Sequence, residues 1–469
     1  MSGAGILNRQ FWKFVLRVAL YTFIGWVVLS MNPFGIGDRA DEATQDAFYQ
    51  VVSPYYPAKA RDDIVVVLFN DRSIRELSEH NIIAANEWPI LYQDHGYLLS
   101  RIMKYQPRAV FVDIYFKQER SIDPSFEAFS RRVGRSLDDS GTRLLFAAGY
   151  GYTGELATGI QQKLAAIGSM VVNGWSGYGR AYPLRHQTRT TAAYELYSLA
   201  CRGKSPLSCS GPVLEPIDVE SGDAMSVRWG GRPATPVFEE FSRDKCRSDS
   251  NTHYQMAAQL VKGVLQDIVD YNGAANPDKE RCPYHTVLYV DELVYVDKHD
   301  NPQRRERLKT ALKDKIVLFG MDLEGVHDRV DSPVHDSLPG VFFHAMALDN
   351  LMTYGADYIQ ASNERMNRLN LGIWFAMVVI LSVLLYFLEK HGVPMTASPQ
   401  QDKGSGLKGM LRGNPRVFLF GFFTVLIILA SILLFRVMRY EPVNSIAFFA
   451  LSGIVSLLVY RDIVDRFIG

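Results

Sequence analysis

Two hydropathy rhythms divide the chain. In its middle, short unbroken apolar runs recur: DIVVVLFND (63–71), AVFVDIYF (109–116), RLLFAAGY (143–150), SMVVNGW (169–175) and KIVLFG (315–320). Unbroken runs of strand length suit strands buried on both faces of a parallel sheet. Between them the spacing turns helical: after Trp88-Pro89, residues Leu91, Leu98, Leu99, Ile102 and Met103 share one face, and 125–137, 192–201 and 305–312 follow the same period. Strand, helix, strand in repeated order predicts parallel crossovers. The expected fold is therefore α/β, with a mainly parallel, doubly wound sheet. Ser73 is expected to cap the helix after the first strand, and Pro339 to open a helix that Gly355 stops. A brief strand is expected at 227–231. Residues 235–302 read as an insertion, with an amphipathic helix at 254–271 and a strand pair around 286–295.

Near both ends the apolar runs are longer, and they add four transmembrane α-helices to the expected fold: 11–31, 368–388, 417–435 and 442–460. The first carries Lys13 and Arg17, which reach full length by snorkelling to the headgroups. A cleaved leader is the competing reading, and Met31-Asn32-Pro33-Phe34 lacks the small-x-small pattern it would need. Arg9, Lys13 and Arg17 precede that span and Asp38, Asp41, Glu42 and Asp46 follow it, so 1–10 is expected in the cytoplasm. The basic linker 389–416 and the tail 461–469 fall on the same side, with only Arg436 and Arg439 opposed. Residues 32–367, entered through a stalk helix within 35–60, then form an extracytoplasmic domain. The expected setting is a bacterial inner membrane, crossed several times, with this domain in the periplasm.

Composition narrows the chemistry. Lys plus Arg equals Asp plus Glu at 50 each, so no charge excess argues for nucleic acid. All four cysteines lie in the outer domain, where an oxidising compartment can pair them. Three connectivities exist, and the small loop between Cys201 and Cys209 favours that pair, with Cys246 and Cys282 as the other. No Walker loop, nucleophile elbow, HExxH helix or dinucleotide fingerprint is present, and 149–154 (GYGYTG) has the wrong spacing for the last. The chain is expected to be no enzyme and to need no cofactor.

The candidate site lies where the strands end. Asp71, Asp113 and Asp322 each stand at or just beyond a strand's carboxyl end, where open α/β sheets place their ligands. The loop after 315–320 adds Asp328 and Asp331, with His327 and His335 as weak metal candidates. Such carboxylates suit a hard cation with waters or a cationic ligand; the competing reading has them capping helices and turns. Small residues Gly421, Ala430, Ser431, Ala447, Ala450, Ser452 and Gly453 in the last two spans suit self-association or docking of a partner's spans.

Several blocks together, DIVVVLFNDRS (63–73), Trp88-Pro89, PRAVFVDIYF (107–116), KIVLFG, Asp331-Ser332-Pro333 and LPGVFFHA (338–345), resemble the type-two CHASE domains, extracellular sensory domains of bacterial receptors. The resemblance covers roughly 35–355, and three spans after the domain are usual in that family. It implies a sensor. Two features depart from the pattern: the first strand ends in Asn70-Asp71 where the family has paired Asp, and a short tail stands where members carry a cyclase or kinase. The expectation is a membrane sensor or regulatory subunit that binds a small-molecule or peptide ligand, or a partner, and relays it to a separate effector protein. A structural docking subunit of an envelope complex is the alternative, and a periplasmic hydrolase the third reading.

Overall fold

The structure is a computed structural model that describes residues 3–31 and most of 45–390. Outside the description lie 32–44, 239–281, short stretches at 150–155, 175–180 and 217–223, a few single positions, and nearly all of 391–469; so do the side chains at 3–10, 28, 29, 336, 364–367, 385 and 388–390. Two compact units result, Tyr49–Ala361 and the terminal segments Met1–Phe48 with Ser362–Gly469.

In chain order the elements are α1 (Gly3–Met31), β1 (Ile64–Asn70), α2 (Asp71–Glu79), α3 (Tyr92–Met103), β2 (Ala109–Val112), α4 (Phe126–Ser140), β3 (Arg143–Ala148), α5 (Thr158–Ala166) and β4 (Met170–Asn173). Short strands β5 (Ala181–Pro183), β6 (Arg185–His186) and β7 (Arg189–Thr190) precede α6 (Ala192–Cys201) and β8 (Ala224–Ser226). There follow β9 (Thr286–Tyr289), α7 (Val290–Lys298), α8 (Pro302–Leu312), β10 (Ile316–Asp322), β11 (Arg329–Ser332), β12 (Asp336–Pro339), α9 (Val341–Tyr354) and α10 (Glu364–Lys390).

Six strands form one sheet in the order β4-β3-β2-β10-β1-β9, and every pairing is parallel. Period-two alternation splits each strand between two cores. Ile64, Val66, Leu68, Phe111, Ile316 and Leu318 face one core, covered by α6 and α9. Val65, Val67, Phe69, Val110, Val317 and Phe319 face the other, covered by α2, α3, α4, α5, α7 and α8. The doubly wound, parallel α/β expectation holds.

Strand β10 enters last and sits between β1 and β2, with Ile316 beside Ile64 on one side and beside Ala109 on the other. The chain leaves β1 and β2 toward one face but leaves β10 toward the other, into α9. A crevice opens where such exits diverge. Gly320 permits the turn's close packing: a Cβ there would stand 2.5 Å from Val341 Cβ.

At the far end of α9 the segment 210–212 acts as a strap. Ser210 N–H donates to the Met352 carbonyl, and Ala356 N–H to that of Pro212, both at 2.9 Å. Gly355 stops α9 at φ 55°, where its missing Cβ admits the Pro212 carbonyl. The strap is anchored by the disulfide Cys201–Cys209, as expected. Cys282 is also disulfide-bonded, and Cys246 lies outside the described residues.

Several local expectations are corrected. Asn70, not Ser73, caps α2, its Oδ1 accepting from Ser73 N–H at 2.8 Å. Pro339 ends β12, paired with Arg329, so α9 begins at Val341. The brief strand is Ala224–Ser226, paired antiparallel with Ala181–Pro183, rather than 227–231. The strand pair around 286–295 is one edge strand, β9, followed by α7: Asp291 and Glu292 in a first turn and Leu293, Val294 and Val296 on a buried face have helical, not alternating, spacing. Residues 286–298 thus belong to the main fold rather than to an insertion. The expected helix 254–271 lies outside the described residues.

The terminal unit contains α1 and α10. Trp374 Nε1–H donates to the Tyr21 carbonyl at 3.1 Å, and Gly25, one turn on, leaves room for the indole. Trp374, Met377, Val378 and Leu381 form a buried stripe, while Phe11, Trp12, Phe23, Trp26, Phe375, Ile380 and Phe387 are exposed. Among the described residues no helix is long and apolar enough to cross a membrane. The expected spans 417–435 and 442–460 lie outside the description.

Gly320→Ala is expected to cost about 1–3 kcal/mol, because the stiff β-branched Val341 cannot yield without moving α9. Urea denaturation of the full chain measures it.

Candidate functional site

Asp113 leaves β2 at the crevice, its backbone N–H donating to the Phe319 carbonyl of β10 at 2.8 Å. Its side chain is 9% exposed and accepts no hydrogen bond from any described residue. Burial pushes its carboxyl up to about 7. Facing it is His344 from the first turns of α9, with Nε2 at 3.6 Å from Asp113 Oδ1, beyond hydrogen-bond reach.

The other ring nitrogen of His344 is engaged by Tyr182. Tyr182 of β5 accepts from Ala193 N–H at 3.1 Å and lies 2.6 Å from His344 Nδ1. One proton lies between the Tyr182 hydroxyl and Nδ1, so this hydrogen bond occupies Nδ1 and leaves Nε2 to face Asp113. Burial holds the imidazole neutral, at about 4, and pushes the Tyr182 hydroxyl well up.

Asp328 completes the group. As a residue it is exposed, but its carboxylate lies over Gly340, whose Cβ, if present, would stand 2.3 Å from Oδ1. Gly340 is one helical turn before His344, so Asp328 sits above the imidazole on the same face. Burial first, then the Asp113 charge, raises its carboxyl to about 6, against the opposing pull of His344. Among the described residues no cation neutralises this pair: Arg329 reaches instead to Asp322 at 2.9 Å and to Ser337.

The other strand-end acids are locally engaged. Asp71 accepts from Glu324 N–H at 2.8 Å, tying the start of α2 to the loop after β10. Asp322 pairs with Arg329. Asp331 points outward from β11, where alternate residues are exposed. His335 is buried and donates from Nε2 to the Gly230 carbonyl at 2.8 Å, beside Trp229, which is a packing role. His327 lies outside the described residues. Among those described, no group of three or more His, Cys, Asp or Glu is arranged to hold a metal ion.

Beside β1 and β9 a second acidic pair was not foreseen. Asp291 takes Arg72 at 2.7 Å and the Ser73 hydroxyl, whereas neighbouring Glu292 is raised to about 7 by burial. The readable signal was the Asp-Glu step after a strand-like TVLY run.

Because native Asp113 holds its proton more tightly than the unfolded chain does, its contribution to stability falls as pH rises from about 4 to about 7 and is level above. His344, depressed to about 4, works in the opposite direction below its ordinary value. Their sum is therefore flat, but the difference between wild type and Asp113→Asn is not. The variant is expected to gain about 2–4 kcal/mol on wild type between pH 4 and pH 8, read from denaturation at each pH.

Comparison with curated proteins and with solved structures returned no match. A family model described as the CHASE2 domain matches residues 19–386. That match takes in every strand of the sheet and the acidic crevice at the end of β10, and by it the chain belongs to the CHASE2 family of extracellular sensory domains.

Proposed function

We propose that the chain is a membrane-tethered sensor or regulatory subunit whose domain outside the cytoplasm binds its ligand at the β10 crevice. The reading rests on one observation above the rest: α9 carries His344 inside the crevice at one end, and its other end precedes α10 by only residues 355–363. A ligand that favours one position of Asp113 and Asp328 acts directly on the first turns of α9. It shifts the helix only as far as it binds one arrangement better than the other.

The membrane tether is supported by sequence and by the terminal unit's surface. Leu369–Leu388 has no charged residue, and the large apolar side chains exposed on α1 and α10 are costly in water but at home in lipid. The basic flanks at 9–17 and 390–416 put both ends of the chain in the cytoplasm. Four spans, an inner-membrane location and a separate effector follow on this reading, and the strand-end acids serve binding rather than catalysis.

The relay is open to measurement by hydrogen exchange on the full chain in lipid nanodiscs. Asp113→Asn is expected to change protection in 341–354 and in 364–390, with α4 and β3 unaffected. Changes confined to the crevice would leave the domain a docking surface without a relay.

A further inference from the structure

The crevice holds two carboxyls and lacks what would let both be charged. Asp113 is nine-tenths buried, with no hydrogen-bond donor on its carboxylate among the described residues. Among the described residues every titratable group facing it is negative or neutral: Asp328 from the loop before β11, His344 from α9 with Nδ1 occupied by Tyr182, Tyr182 itself from β5, and Tyr115 from its own strand exit, whose hydroxyl donates to the Gly174 carbonyl at 3.1 Å. Arg329 and Arg72, which follow β10 and β1 in the chain, reach to Asp322 and Asp291. Two carboxylates desolvated together cannot both ionise cheaply, and one bound proton removes the conflict.

We infer that the ligand of this site includes a proton, taken up by the buried Asp113 in the field of Asp328, and that its loss loosens the β11–β12 hairpin from the amino end of α9. The mechanical link is short. The Asp328 carbonyl accepts from Gly340 N–H at 2.9 Å while its carboxylate lies over the same residue, so Asp328 cannot move without disturbing the junction of β12 and α9. Arg329, the next residue, braces the hairpin through Ser337 and Asp322. Deprotonation sets Asp113 and Asp328 against each other at that junction. The raised values of the two carboxyls, about 7 and about 6, agree with uptake near neutral pH. This deepens the sensor reading by naming one ligand of its site; the proton itself is measurable whether or not the spans respond.

The test uses the full chain in nanodiscs, carrying Glu292→Gln throughout to remove the other carboxyl raised to about 7, and the infrared C=O band of a protonated carboxyl, followed from pH 9 to pH 5. A band with a midpoint between about 6 and 7.5 is expected, lost in Asp113→Asn and moved to lower pH in Asp328→Asn, where one negative neighbour is gone. Over the same range, exchange at 329–345, corrected for its intrinsic pH dependence, should quicken as the band disappears with Asp113 in place and stay constant in Asp113→Asn. The assignment is overturned if the chain with Asp113 in place shows no such band above pH 5, if the band survives in Asp113→Asn, or if exchange at 329–345 ignores the titration. None of these outcomes bears on 364–390, so failure of the proton and failure of the relay are read separately.

Discussion

The structure depends on where β10 pairs. A strand that enters more than 200 residues after its neighbours is seated between β1 and β2, and both of its edges are hydrogen-bonded throughout the core. This long-range pairing closes the middle of the sheet, buries Phe319 and Leu318 in opposite cores, and sends the chain out over the face that β1 and β2 avoid. The crevice is a by-product of that divergence. So is the position of α9, whose first residue, Val341, packs directly over Gly320.

Once α9 is placed, the site follows from sparse hydrogen bonding. Tyr182, held by Ala193, engages Nδ1 of His344 and so orients the ring with Nε2 toward Asp113. Asp328 arrives from the hairpin and is pinned by Gly340. The rest of the rim is neutralised by short-range pairing, such as Asp322 with Arg329 and Asp71 with a backbone N–H. Asp113 and Asp328 are what that pairing leaves over. Uncompensated charge in a desolvated place is poor for stability, and groups with displaced titration concentrate at functional sites.

Much of the fold was legible because fully buried parallel strands announce themselves as unbroken apolar runs: 63–71, 143–150 and 315–320 needed no partner to be read. The end of β9 and the start of α7 were not, since a four-residue edge strand half-open on one side carries too little pattern to show where it stops, and the helix that follows it begins with Val290, a residue that extends the strand signal. Within the site, Asp113 and Asp328 were readable as acids beyond strand ends. His344 and Tyr182 were not. His344 lies in VFFHAMAL, which reads as plain core helix, and Tyr182 reaches it across 162 residues. Asp71, Asp322 and Asp331 look alike in sequence, and only local partners and strand alternation separate them from Asp113 and Asp328.

The account stands or falls on Asp113 and Asp328 sharing one electrostatic environment at the end of β10. A double-mutant cycle between Asp113→Asn and Asp328→Asn, measured by denaturation at pH 8 and again at pH 4, tests this directly. At pH 8 either substitution relieves the repulsion, so the second should add less than it does alone, by about 0.5–1 kcal/mol or more, and the difference should vanish at pH 4. Strict additivity at pH 8 would contradict the account.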